Sequence, residues 1–197
     1  MKTIALVYYS GSGATHDMAE AVAQGAKTQP DIQVIRYRIS GEDIQNGRFN
    51  DPDLFASLQH ADAILFGSPT YMGGPAAQFK AFADASSESW SEQGWRNKLA
   101  AGFTVGGSQG GEQDSTLNYL LILAMQHGML WVGMDMPSGY HDKRINPMGR
   151  QLGASGHTPE GALSEADLKT ASHLGQRVAT LLLSQFAAEK SPVAEIA

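Results

Sequence analysis

Ile4-Ala5-Leu6-Val7-Tyr8-Tyr9, followed at once by Ser10-Gly11-Ser12-Gly13-Ala14-Thr15, is the stretch whose reading decides the fold. The apolar run is too short for a useful helix and carries no polar alternation, so it reads as a strand covered on both faces. The Ser/Gly segment that ends it is a tight loop. Beyond it Met18, Ala19, Val22, Ala23 and Ala26 recur at helical spacing as far as Gln29-Pro30, with Thr15 as the expected cap. A strand, a glycine loop and a helix form the first unit.

The unit repeats. Ile32–Ile39 is the second strand, and the polar stretch Ser40–Asp51 leads to a weaker helix over Pro52–Leu58. Ala63–Gly67 is the third strand, running into the turn residues Ser68–Pro75 before Phe79 and Phe82 mark the inner face of a helix. Leu99–Val105 is the fourth strand, followed by Gly106–Gly111 and then Leu117, Leu120, Leu121, Ala124 and Met125 at helical spacing. Met129–Met134 gives a fifth strand, and Leu168, Ala171, Leu174, Val178, Leu181, Leu182 and Phe186 line a last helix. Between them Asp135–Leu163 is a long irregular stretch, which in a compact domain signals a lid, a binding loop or a partner contact.

Alternating strands and helices predict an α/β doubly wound parallel sheet with helices on both faces and strand order 2-1-3-4-5. In such a sheet ligands bind at the carboxyl ends of the strands, where three Gly- or Ser/Thr-rich loops would converge. The 197 residues suit one domain, expected over 1–190 with 191–197 a frayed tail.

Composition removes several functions. The absence of cysteine excludes thiolate nucleophiles, disulfides and Cys-ligated metal. A formal charge of -6 argues against a broad nucleic-acid or anionic-lipid footprint. The amino terminus shows no cleavable leader and the chain no membrane-length run, so a cytoplasmic protein without membrane insertion is expected. His16, His60 and His173 form no metal-spaced pair, and no metal site is expected.

The first loop is built for an anion. Three hydroxyls, two glycines and the unpaired N–H groups of the following helix suit a phosphate monoester without a lysine. The Walker order GxxxxGK[ST] is absent. Gly11-x-Gly13 approaches the dinucleotide fingerprint, with Arg36 and Arg38 as weak candidates for an adenosine 2'-phosphate, but His16 stands where the third glycine belongs. Lys143, Arg144 and Arg150 offer a second basic cluster for a dinucleotide phosphate, or a solvated one, and Tyr140 and His141 lie in the long stretch as surface residues or as contacts to a bound ligand or a neighbouring subunit.

Ser10–Thr15 resembles the [ST]-x-[ST]-G-x-T phosphate loop of flavodoxins, which implies a flavodoxin-like fold and FMN. Tyr8-Tyr9-Ser10, Phe66–Thr70, Gln78-Phe79-Lys80, Lys98-Leu99-Ala100, the double glycines at 106–107 and 110–111, and His127-Gly128-Met129 together resemble the WrbA-type NAD(P)H:quinone oxidoreductases, from Met1 to about Gly161. The resemblance implies that Ser10, Gly11, Ser12, Gly13, Ala14 and Thr15 hold the ribityl phosphate. It implies that Pro69, Thr70, Tyr71, Met72 and Gly73 border the isoalloxazine, and that Val105, Gly106, Gly107, Ser108, Gln109 and Gly110 surround its pyrimidine edge. Trp90 would wall the substrate pocket together with Ser12, and Gln126 and His127 would stand at the family's flavin-contacting histidine pair. No catalytic side chain beyond the flavin is implied. The chain departs from the family where Tyr71-Met72 replaces Arg-Phe and Gln126 replaces a histidine.

The resulting expectation is an FMN-dependent oxidoreductase that takes a hydride from NADH or NADPH at flavin N5 and passes it by ping-pong to a quinone-like acceptor. A homo-oligomer, dimer or tetramer, is implied by a family that completes its active sites between subunits. Two rivals stand beside it: a single-electron carrier of flavodoxin type, and a non-catalytic FMN-binding protein.

Overall fold

A computed structural model describes residues 1–138 and 144–188. Tyr140, His141, Lys143 and the tail from Ser191 therefore lie outside the described residues.

The elements, in chain order, are β1 (Lys2–Tyr9), α1 (Ala14–Lys27), β2 (Ile32–Ile39), the short β3 (Ile44–Gln45) and β4 (Arg48–Phe49), α2 (Pro52–His60), β5 (Ala63–Tyr71) and β6 (Gly74–Pro75). They continue as α3 (Ala77–Ala85), α4 (Ser87–Ser91), β7 (Leu99–Gly106), α5 (Gln113–Gln126), β8 (Leu130–Trp131), β9 (Ala154–His157) and α6 (Glu165–Ala188). The main sheet has the order β2-β1-β5-β7-β8, all parallel, with β9 also on β7. That is the flavodoxin-like doubly wound order expected from the sequence.

The pleat explains the two cores. Ile4, Leu6 and Tyr8 of β1 point toward α1 and α6, whereas Ala5 and Val7 point toward Phe66, Phe79, Phe82 and Trp95 on the other face. On the first face α1 and α6 pack so closely that a side chain on Gly25 would meet the Ser172 carbonyl at 1.8 Å, and one on Gly175 the Val22 carbonyl at 2.0 Å.

Two expectations need correcting. The fifth strand is not a continuous Met129–Met134: β8 covers only the first part of β7, and β9, from within the long stretch, covers the rest. Trp131 explains the exchange. Its ring occupies the space beside Gly102, where an added Cβ would meet it at 2.8 Å, and its indole N–H donates to the Leu152 carbonyl at 2.8 Å. The chain leaves β7 after Trp131 and returns two residues after Leu152. Part of the 135–163 stretch is thus sheet rather than lid. The second correction is the cap of α1, which is Gly13 at φ 105°, a conformation that favours glycine; Thr15 lies inside the helix, 2% exposed.

Candidate functional site

Parallel strands place the loops after β1, β5 and β7 at one edge of the sheet, and the structure brings those three together. The first loop is held from beneath. The Ser10 hydroxyl accepts the His16 N–H at 3.1 Å, the Arg38 guanidinium donates to the Ser10 carbonyl at 2.8 Å, and the Tyr8 hydroxyl shares a 2.7 Å hydrogen bond with His16 Nδ1. Burial, then the nearby Glu20 carboxylate, raises the Tyr8 phenol above its usual range and keeps it protonated. Arg36 pairs with Glu20. Both arginines, exposed on β2, thus have partners within the first unit.

Gly13 gives α1 no side-chain cap; of the first-turn N–H groups that of His16 is taken by the Ser10 hydroxyl, those of Ala14 and Thr15 have no acceptor among the described residues, and Ser12 is exposed beside them. Uncapped N–H groups at the positive end of a helix, a neighbouring hydroxyl and a glycine cap are the donor set a phosphate monoester requires. The site fits the FMN phosphate on that ground.

The second loop is a two-residue hairpin. Thr70 pairs with Pro75 and Tyr71 with Gly74, leaving Met72 and Gly73 at the tip with φ of 48° and 79°. Two left-handed residues make a type I′ turn, and methionine is an unusual choice for the first. The Met72 side chain is wholly exposed, and Tyr71 is about half exposed. The Tyr71 hydroxyl lies 2.5 Å from where a Cβ on Gly11 would stand, so the phenol reaches across the mouth of the first loop. Thr70 does not offer its hydroxyl outward: Oγ1 bonds to Thr116 at 2.8 Å and to Thr104 at 2.9 Å, tying β5 to α5 and β7. Pro69 is buried.

In the third loop Gly107, Ser108, Gln109 and Gly110 are exposed while Val105 is buried. Gln113, fully buried at the start of α5, donates to the Ser108 carbonyl at 2.6 Å. Arg150 donates to Gln113 Oε1 at 3.0 Å and to the Gln109 carbonyl at 3.2 Å, and lies 3.1 Å from Asp114. Arg150 is thus neither a free cation nor a solvated one.

Three carried-over residues do not join this cluster. α5 begins at the third loop and ends about 20 Å away at the opposite edge, because it runs antiparallel to the strands with a rise of roughly 1.5 Å per residue. Gln126 is exposed there. His127 turns inward, 1% exposed, with Nε2 2.8 Å from the Ser86 hydroxyl. Trp90, about half exposed on α4, lies at the same end, where Asn97 N–H donates to the Gly128 carbonyl at 3.0 Å. Within one chain these residues do not touch the three loops, and His127 is a core residue. The helical spacing to Met125 already implied as much, since a helix that starts at one edge of a parallel sheet finishes at the other. The role of Arg150 left no such trace, because it depends on a contact across 37 residues of chain.

A groove of about 610 Å³ lined by Arg48, Phe55, His60 and Glu88 lies over the α2–α4 side and shares no residue with the three loops. Among the described residues no cluster of His, Asp and Glu is arranged to hold a metal, and no helix is long and apolar enough to cross a membrane.

Residues 1–137 match the family model described as NADPH-dependent FMN reductase. The chain is 35% identical over 190 residues to Flavodoxin FldP of Pseudomonas aeruginosa, covering 92% of this chain and 97% of that one. It is 32% identical to an NAD(P)H dehydrogenase (quinone) of Geotalea uraniireducens, covering 90% and 96%. Among solved structures, a flavodoxin, WrbA-like protein from Agrobacterium tumefaciens superposes with a TM-score of 0.72 at 40% identity, covering 93% of this chain and 99% of that one.

Proposed function

The chain belongs to the NADPH-dependent FMN reductase family, an FMN- and NAD(P)H-using oxidoreductase by that membership, and from this premise we propose that it reduces a quinone-like acceptor in two half-reactions sharing one pocket. The observation that carries the reading is the convergence of a glycine-capped helix N-terminus, an exposed aromatic hairpin and an exposed glycine loop at one sheet edge. When bound, the flavin supplies hydride acceptance from NADH or NADPH and hydride delivery to the acceptor.

The residues of the chain do the rest. Ser12 and the N–H groups of Ala14 and Thr15 would hold the phosphate, with Arg38 fixing the Ser10 peptide beneath them. Tyr71 and Met72 present apolar surface on which a planar ring and its substrate stack, excluding water from that side. Backbone N–H groups of 107–110 would serve the ring's electron-rich edge and would favour its reduced, anionic form. No side-chain acid or base is needed beyond solvent access for the acceptor's proton.

Trp90 and Gln126 would reach such a pocket only from a second copy, and a homo-oligomer, dimer or tetramer, is proposed accordingly. Exposed Ile122, Met125 and Leu130 beside them provide apolar surface for that contact.

The test is reconstitution with FMN, anaerobic bleaching by NADH and NADPH, and recolouring with benzoquinone. Bleaching and rapid recolouring are expected; bound flavin that neither nicotinamide reduces would refute the proposed turnover. The likeness to a flavodoxin of nearly equal length supports a second reading, a single-electron carrier. Reductive titration that halts at one electron per flavin would select it.

A further inference from the structure

We propose that Arg150 is a positioning residue for the flavin's pyrimidine edge, acting through the carbonyls of the Ser108–Gly110 loop. The inference rests on the FMN reading above and assigns a task to a side chain that the resemblance does not include.

The argument begins with peptide geometry. A trans peptide is planar, so a carbonyl and the N–H of the next residue point in opposite directions. The described chain has no cis bonds. The Ser108 carbonyl is pinned by Gln113 Nε2 at 2.6 Å and by the Gly111 N–H at 3.3 Å. The N–H of Gln109 must therefore point away from α5. The Gln109 carbonyl is pinned by Arg150 at 3.2 Å, which turns the N–H of Gly110 away from Arg150 in the same manner. Among the described residues neither N–H has an acceptor. Two adjacent amide donors are left facing out of an exposed glycine loop, with their directions already set.

Arg150 controls both. It binds the second carbonyl directly, and its bond to Gln113 Oε1 at 3.0 Å orients the amide that holds the first. Absence of a side chain at Gly106 makes room for that amide, since a Cβ there would meet Gln113 Nε2 at 2.5 Å. Arg150 is itself fixed: its side chain is 11% exposed, lies against Asp114, and its backbone N–H donates to Asn146 Oδ1 at 3.0 Å. Both bonds leave from Nη2, while Nε lies 3.1 Å from Asp114 and Nη1 donates to the Met148 sulfur at 2.7 Å; three nitrogens in one rigid plane make these contacts at once, and the single nitrogen of lysine cannot duplicate the set.

The experiment compares wild type, Arg150→Gln and Arg150→Lys. In flavin-free protein, 15N order parameters at Gln109 and Gly110 should fall from the rigid range, about 0.8, to below about 0.6 in both variants. Dissociation constants for FMN and for phosphate-free riboflavin should rise together, by roughly tenfold, leaving their ratio unchanged. The midpoint potential of the bound flavin should fall. Unchanged order parameters, riboflavin affinity and potential in Arg150→Gln would overturn the proposal. So would full retention by Arg150→Lys, which would show that charge alone suffices, or a loss confined to FMN, which would place the effect at the phosphate. Should Arg150→Gln fail to fold, Arg150→Lys decides alone. Wild type that binds neither flavin overturns the functional reading and this one with it; wild type that binds both while the variants match it overturns only the role of Arg150.

Discussion

The imidazole of His127 lies on the indole of Trp95, ring centroids 4.1 Å apart, and both rings are sealed from solvent. The Ser86 hydroxyl has one hydrogen and donates it to the Ala83 carbonyl at 2.7 Å, so His127 Nε2 must carry the proton it shares with Ser86. Nδ1 is then a buried lone pair without a partner among the described residues.

A pH dependence follows from that tautomer. Burial lowers the His127 pKa from its usual 6.5 to about 4. The unfolded chain binds this proton more readily than the folded one. Stability from this group is therefore complete above about pH 6.5 and is lost as pH falls toward 4, by up to about 3 kcal/mol. Urea unfolding at a series of pH values checks it, and His127→Phe should flatten the decline over that interval.

Gly25 and Gly175 set the approach of α1 to α6, each with a partner backbone where a methyl would go. Neither backbone can move without separating two helices. Gly25→Ala is expected to cost about 3 kcal/mol and to lower the melting temperature by roughly 8 °C. The double variant with Gly175→Ala should cost less than the sum, because both methyls open the same interface. Calorimetry of the three proteins measures it.

Met72 holds a left-handed backbone at the tip of the Tyr71 hairpin with its side chain wholly in solvent. Met72→Gly removes a steric cost of about 1 kcal/mol. The variant should melt higher than wild type, while losing apolar surface beside the proposed ring site. Raised stability with weakened flavin affinity is the expected pair of results from thermal melts and flavin-fluorescence titration.

Arg38 donates to the carbonyl of Ser10, behind the proposed phosphate loop. Arg38→Gln should weaken FMN roughly fivefold to tenfold while leaving riboflavin unaffected. The comparison separates phosphate recognition from the ring contacts attributed to Arg150.

Much of the architecture was legible because its signals are local. The run Ile4–Tyr9 is buried along most of its length and ends in the expected loop, and the second, third and fourth strands fall where their apolar runs stand. The third extends further, to Tyr71, since the hairpin with β6 continues its pairing. The fifth position was misread because Leu130–Trp131 and Ala154–His157 are each too short a strand to announce itself, and only the Trp131 ring against Gly102 shows why the chain changes over there.

The sequence by itself determined the alternation of the main strands and helices, the three loops at the carboxyl edge of the sheet and the Ser/Gly composition of the first. Apolar period, glycine position and hydroxyl content are properties of neighbouring residues, and parallel topology converts them into one edge. Tertiary structure alone decided which polar side chains serve that edge. It sent His127 into the core and Gln126 to the far side, closed the Thr70 hydroxyl onto Thr104 and Thr116, and brought Arg150 back onto Gln109 and Gln113. Such contacts form only once the sheet and helices have fixed the distance between residues far apart in the chain, and a side chain's hydrogen-bond partner is chosen by that distance and not by its neighbours in sequence.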